Sequence, residues 1–249
     1  MSSRECNSTG LTRRDWPAAF RALRGLLADS DDTVQVFRIT NALNGGAWRR
    51  NYRRLISTAE GGRLAYRRVE LAHRLRDRDW IGSFPDGSVG AAYRAFLDNT
   101  GYSAEGLIQV SVAIGAYPAE VEHPYAWFRR RERDLHDVWH VLTGYQPNGP
   151  LGESCLVAFS YGQTGGLGWG LIAVGAALRS LGVTGGTAFA RAVWEAYRHG
   201  RRAAWLHGED YEAMMDEPID SARRRLGLAE PKRYWQARDQ LAAEGLTGF

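Results

Sequence analysis

Lysine is nearly missing from this chain. Lys232 is the only one, so the formal net charge of +4 is carried by arginine. Exchange of lysine for arginine follows from a GC-rich genome and calls for no partner. The basic residues alternate with Asp and Glu along most of the chain, the pattern of solvated helix faces. Arg201, Arg202 and Arg223 to Arg225 read as surface in the same way. Clustered aromatics on a basic face are lacking, which removes nucleic acid as a partner.

Cysteine is as scarce. Cys6 and Cys155 lie far apart, which excludes a disulfide framework and fits a reducing compartment. No apolar run approaches the roughly twenty residues that span a bilayer, since the stretch Leu167 to Leu178 is broken by glycines. Met1 to Arg14 has no apolar segment of the kind a secretory signal needs. The protein is therefore expected to be soluble, or at most peripheral to a membrane. No linker, low-complexity block or repeat divides the 249 residues. A polar leader, residues 1–14, precedes one domain, residues 15–249.

What is present is helical periodicity, and the fold class it predicts is all-α. Asp15 caps a first helix with Pro17 just inside it, and Phe20, Leu23 and Leu27 share one face. A second helix begins at Thr33 and ends at a turn, Asn44-Gly45-Gly46. Glu60-Gly61-Gly62-Arg63 precedes a very basic segment running to Arg78. Pro85-Asp86-Gly87-Ser88 forms a turn whose serine caps a helix burying Val89, Ala92, Tyr93 and Phe96. Leu107 to Ile114 is β-branched, but a lone run of this kind without partners reads as helix. Further helices are expected over 124–142, 154–163, 168–181, 187–205, 211–215 and 219–226. Glycine in a helix costs about 1 kcal/mol relative to alanine, so the cluster Gly165 to Gly175 marks a close approach. Two readings stay open for it: a neighbouring helix, or an apolar ligand walled by Phe159, Trp169 and Leu171.

The chemistry concentrates in His136-Asp137-Val138-Trp139-His140. At about 100° per residue, His140 returns to within roughly 40° of His136, and Asp137 lies beside them. Glu153 follows after a Gly/Pro-rich turn, Gly144 to Gly152, which serves to bring it back over the histidines. Two imidazoles and two carboxylates suit a single divalent ion of zinc, iron, manganese or cobalt. An ionisable cluster beside the apolar Leu135, Val138 and Trp139 is expensive to bury unless a cation pairs it. His136, Asp137, His140 and Glu153 are therefore the candidate metal ligands and the candidate catalytic groups. Tyr161 and Asp134 are candidates to support them.

Several stretches, in order, resemble the ubiquinone (coenzyme Q) biosynthesis proteins of the Coq-four type. Ala28 to Thr33 leads into a helix as in that family, and Glu60-Gly61-Gly62-Arg63 resembles its Glu-Gly-Arg turn. Phe84-Pro85-Asp86-Gly87-Ser88-Val89-Gly90-Ala91-Ala92-Tyr93 resembles its Leu-Pro-x-Gly-Ser-Leu-Gly-x-x-Tyr signature. Arg133 to Gly144 matches its metal motif almost residue for residue. Gly152-Glu153, Gln163 and the closing element Ile219 to Leu228 follow. One departure is the spacing: Val141 to Gly152 is one residue longer than in the family.

The resemblance implies a mostly helical protein with a divalent metal and an isoprenoid lipid as ligands. It implies action in ubiquinone assembly, where the C1 carboxylate of a prenylated 4-hydroxybenzoate is replaced by hydroxyl. The short leader fits a bacterial cytoplasmic protein better than a mitochondrial one. Nothing in the metal motif fixes the substrate. A family member recruited to a specialised pathway, acting on another apolar compound, is one alternative; a non-catalytic isoprenoid-binding scaffold is a second. Peripheral membrane contact and a homodimer both stay open as partners.

Overall fold

The computed structural model describes residues 14–30, 32–101 and 123–245. The sequence-predicted segment Leu107 to Ile114 lies outside them. Helices account for nearly all the regular structure, and the pairing Ser88 with Pro218 is an isolated bridge. The all-α expectation holds among the described residues.

The first helices form where their caps are. The Asp15 carboxylate accepts from the Ala18 N–H at 3.0 Å and starts α1 (Trp16–Ala28). Asp32 does the same for α2 (Thr33–Leu43) through the Val34 N–H. The face of α1 that turns inward carries Ala19, Ala22 and Leu26, whereas Phe20 is 52% exposed. Small residues win that face because α1 lies close against α2. Asn44-Gly45-Gly46 is not a turn out of helix. Asn44 keeps right-handed helical angles, and α3 (Gly45–Ile56) begins at the next residue. Likewise Glu60 to Arg63 is the first part of α4 (Ala59–Arg67), capped by Thr58. Two short helices, α5 (Leu71–Arg76) and α6 (Arg78–Gly82), lead to α7 (Val89–Thr100), capped by Ser88 as its sequence predicts.

The long helix α8 (Pro124–Thr143) runs through the middle of the molecule, touching α3, α4, α5 and α7. It also touches α9 (Pro150–Thr164) and α13 (Ile219–Leu226). Its arginines depart from the solvated pattern: Arg129, Arg130, Arg131 and Arg133 are all buried. Each has a partner. Arg131 makes a two-pronged pair with Glu212, both bonds 3.0 Å, and Arg130 reaches both oxygens of Glu70. Arg129 donates to Asn41 and lies 3.9 Å over the Trp48 ring. Guanidinium suits such positions because its planar fork satisfies a carboxylate with two bonds at once. Arg223 of α13 donates to the carbonyls of Val141 and Leu142, closing the C-terminal end of α8.

The remaining layer is α9 with α10 (Leu167–Ser180) and α11 (Gly186–Arg202), followed by α12 (Tyr211–Met214) and, after α13, by α14 (Lys232–Ala243). The glycines of this layer serve helix contact. A β-carbon on Gly162 would lie 2.6 Å from the Tyr197 carbonyl oxygen, and one on Gly168 would lie 2.9 Å from Thr40 Cα. Phe159, read from sequence as a ligand wall, is fully buried with its ring edge-on to Trp139. Gln163 is a structural clamp: it donates to the Gly200 and Ala204 carbonyls and accepts from the Leu206 N–H. The outer side of this layer is apolar, with Val174, Leu178 and Leu181 exposed on one helix and Trp194 on the next.

His207, in the 3₁₀ turn Leu206–Gly208, packs among Trp139, Trp205 and Phe128, with neither ring nitrogen hydrogen-bonded. Burial, with the charges of Arg131 and Arg54, pushes its pKa down to about 3. An unfolded chain takes up this proton near 6.5, so between those values the unfolded state holds one more proton than the native. Stability is therefore expected to fall as pH drops below about 6.5, by up to ~1.4 kcal/mol per pH unit from this residue. Urea titrations at pH 7 and pH 5 should show that loss reduced in His207→Phe. Equal losses in the two proteins would dismiss His207 as the cause.

Candidate metal centre

The site is built from one turn of α8 and the first turn of α9. His136 and His140 project from the same stripe of α8, which ends at Gly144 in the left-handed conformation, φ 80°. Pro150 opens the next helix, and Gly152 lets it fold back tightly, since a β-carbon there would collide with the Gln146 carbonyl. That return carries Glu153 over the histidines, so the longer spacing after His140 does not keep it away. Its Oε2 lies 3.4 Å from His136 Nε2 and its Oε1 lies 3.3 Å from His140 Nε2. One ligand atom from each of the three lies within 4.8 Å of the others.

Each imidazole is fixed from behind. His140 Nδ1–H donates to the Tyr145 carbonyl at 2.8 Å, which leaves the Nε2 lone pair facing Glu153. His136 Nδ1 lies 3.2 Å from Asp137 Oδ1, which orients the second ring in the same sense. Asp137 thus stands beside the cluster, against His136, and not within the group of three. Such carboxylate–histidine contacts are the usual support of metal-binding imidazoles. Phe96 stacks on His140 with centroids 6.0 Å apart. The His140 side chain is fully buried, whereas those of His136 and Glu153 are 28% and 38% exposed, which makes their side the open one.

The donor set fits a divalent cation. His140 Nε2 is buried with no hydrogen bond, and it points a lone pair at a carboxylate. An anion held this close to two ring nitrogens calls for positive charge between them, either a metal ion or a proton on a ring. The titration behaviour shows that pull. Burial alone would lower the pKa of His136, but Asp137 and Glu153 raise it to about 10. Burial would raise Glu153, yet the two histidines hold it well below the usual carboxylate range.

The two proposed supports lie elsewhere. Asp134 is bonded to Arg133 at 2.7 Å and serves that buried arginine. Tyr161 stacks on Tyr197 of α11, 5.4 Å between centroids, and meets Gly170. For Asp134 proximity in sequence misled because residues two apart on a helix do not share a face. The Tyr145 carbonyl was missed altogether; its signal is a glycine-ended helix, whose next residue turns back over the last turn.

The family described as "Coenzyme Q (ubiquinone) biosynthesis protein Coq4" matches the chain over residues 18–232. The ubiquinone biosynthesis protein COQ4 homolog, mitochondrial, of Bos taurus is 29% identical over 173 residues, 69% of this chain and 62% of its own length. The human homolog is 29% identical over 71% of this chain and 64% of its own length. The coq4 protein of Pyrenophora tritici-repentis is 30% identical over 72% and 58%. The chain thus spans less than two thirds of the length of these relatives. A crystal structure from Nostoc punctiforme shares the fold, with a TM-score of 0.63 at 19% identity over 87% of this chain and all of that one.

Proposed function

Because this chain belongs to the Coq4 family of coenzyme Q (ubiquinone) biosynthesis proteins, we propose that it replaces the C1 carboxylate of a prenylated 4-hydroxybenzoate by hydroxyl at the His136, His140 and Glu153 cluster. The observation that carries this reading is the buried Nε2 of His140, 3.3 Å from the Glu153 carboxylate that His136 also meets. His136, His140 and Glu153 would hold the ion, with Asp137 behind His136 orienting its ring. When bound, a divalent ion supplies positive charge that neutralises a substrate carboxylate or phenolate.

The chain's own residues do the rest. Tyr145 and Asp137 keep both rings in the tautomer that presents Nε2. Phe96 covers one face of His140 and keeps water from it. The aromatic head enters on the half-exposed side of His136 and Glu153. In the overall change, the ring–carboxyl bond breaks, carbon dioxide leaves and a ring–oxygen bond forms with water. Two electrons and two protons pass to dioxygen, which becomes hydrogen peroxide.

A membrane surface is where such a lipid is met, and the outer side of α10 and α11 supports contact with one. Val174, Leu178, Leu181 and Trp194 stand exposed there among Arg179, Arg191 and Arg198. Arginine on the rim attracts anionic headgroups and opposes pairing of two copies through this face. Among the described residues no helix is long and apolar enough to cross a membrane.

The test presents carboxyl-labelled 3-geranyl-4-hydroxybenzoate in phosphatidylglycerol vesicles to protein loaded with iron, manganese, cobalt or zinc. Labelled carbon dioxide is expected from the native protein and none from His140→Ala, with the native protein floating with the vesicles. Metal and lipid bound without release of label under any metal would leave a scaffold, or an enzyme of another substrate. Absence from the floated vesicles would remove the membrane contact.

A further inference from the structure

A second concave site lies away from the metal cluster, where the starts of α1 and α3 meet the junction of α9 with α10. It is a cavity of about 530 Å³. Gly165 is part of its wall and follows the end of α9, about 18 Å along the helix axis from Glu153. Leu43, Leu167 and the indole of Trp16 supply apolar wall, and two arginines, Arg14 and Arg50, line the same space. Trp16 and both arginines are exposed, so the cavity opens to solvent.

The arginines bring charge here without a carboxylate to answer it. No acidic side chain is among the described residues that line the cavity. Arg14 makes no ion pair or hydrogen bond among the described residues, and the adjacent Asp15 commits its carboxylate to the Ala18 N–H. Arg50 is seated on glycine: β-carbons on Gly46 and Gly165 would lie 3.7 Å and 3.4 Å from its Nη1 and Nη2. Its bond to the Gly165 carbonyl is 3.5 Å long, beyond the usual range for N–H···O. A guanidinium carries five N–H donors, so most of this fork is open. The contrast is with α8, where Arg130 and Arg131 are each closed by a carboxylate.

We infer that this cavity is a binding site for a phosphate monoester borne on an apolar group. One arginine is enough for a carboxylate, as Arg131 shows with Glu212. Two arginines around one space match a dianion, and their planar forks match phosphate oxygens in geometry. The apolar wall receives the group that carries the phosphate, with Trp16 offering a flat face to it. A soluble organic phosphate and a lipid phosphate headgroup share this chemistry. The site stands independently of the metal cluster and of the reaction proposed there.

The experiment titrates full-length, metal-loaded protein by calorimetry with phenyl phosphate, inorganic phosphate and dihexanoyl phosphatidic acid below its micelle concentration. Native protein is expected to bind phenyl phosphate at least about tenfold more tightly than inorganic phosphate, through the buried ring. Hydrogen bonds to charged groups are worth about 1.5–3 kcal/mol, so Arg14→Gln and Arg50→Gln should each weaken phenyl phosphate about tenfold or more. Metal content and the urea midpoint should stay at native values, since both arginines are exposed. His140→Ala should bind phenyl phosphate as native protein does. Loss of binding in His140→Ala would put the anion on the metal and overturn the site. Native affinity in the double variant Arg14→Gln, Arg50→Gln overturns it, and so does native protein that binds none of the three probes. Either order of phenyl phosphate and phosphatidic acid upholds the site, and the tighter of the two names the source of the phosphate.

Discussion

His140→Ala is expected to strip the protein of its metal. After dialysis against a trace of divalent ions, native protein should carry close to one ion per chain by elemental analysis, and the variant less than about a tenth of that. The residue is chosen because its side chain is fully buried, its Nδ1 is committed to the Tyr145 carbonyl and its Nε2 faces the Glu153 carboxylate at 3.3 Å. Alanine there removes a ligand and leaves Glu153 facing a gap. The neighbouring variants separate support from ligation. Asp137→Ala should weaken metal binding by roughly 10–100-fold, the usual cost of losing the group behind a ligating imidazole. Asp137→Asn should keep most of the affinity, because its amide oxygen still accepts from His136 Nδ1–H. If Asn proves as damaging as Ala, Asp137 binds the ion directly. Equal metal in native protein and His140→Ala would mean a hydrogen-bonded polar cluster and no metal site.

Gly200→Val should bring a large loss of stability. At the crossing of α9 and α11 a β-carbon on Gly200 would overlap the Phe159 carbonyl. The clash is with backbone, so no rotamer relieves it and the two helices must part. Overpacking costs about 1–3 kcal/mol and more where backbone must part, a large share of the roughly 5–15 kcal/mol that holds a domain together. Parting the pair would also disturb Gln163, whose amide is fastened to the Gly200 carbonyl. A control within the same protein is Gly62, where nothing lies within 4 Å of an added β-carbon. Gly62→Ala should stabilise by about 0.5–1 kcal/mol through helix propensity alone. Urea midpoints give both numbers. A Gly200→Val midpoint equal to native would show that the crossing is looser than described.

Much of this molecule was legible before folding because the signals are local. Asp15 and Ser88 announce helix starts by side-chain chemistry that acts within three residues, and both cap as expected. His136 and His140 share a stripe for the same reason: helical geometry fixes it without reference to the rest of the chain. What local signals misread were positions whose meaning depends on a neighbour. Asn44-Gly45-Gly46 looks like a turn, yet Asn44 Oδ1 accepts from the Gly168 N–H of a distant helix, whose Gly166 and Gly168 leave room for the Asn44 side chain. The buried arginines of α8 look solvated until Glu70 and Glu212 arrive from elsewhere in the chain.

By itself, then, the sequence determined an all-α chain, the caps that start its helices, and the spacing that aligns two histidines with a glutamate close behind. Periodicity and capping act over one turn of helix, and no tertiary contact was needed to read them. Tertiary structure alone set the returning Glu153 3.3 Å from His140, and decided that Asp137 stands behind His136 and apart from the cluster. It also decided that the glycines seat helices. These are distances between residues far apart in sequence or on different faces of one helix, set by how side chains fill the space between helices.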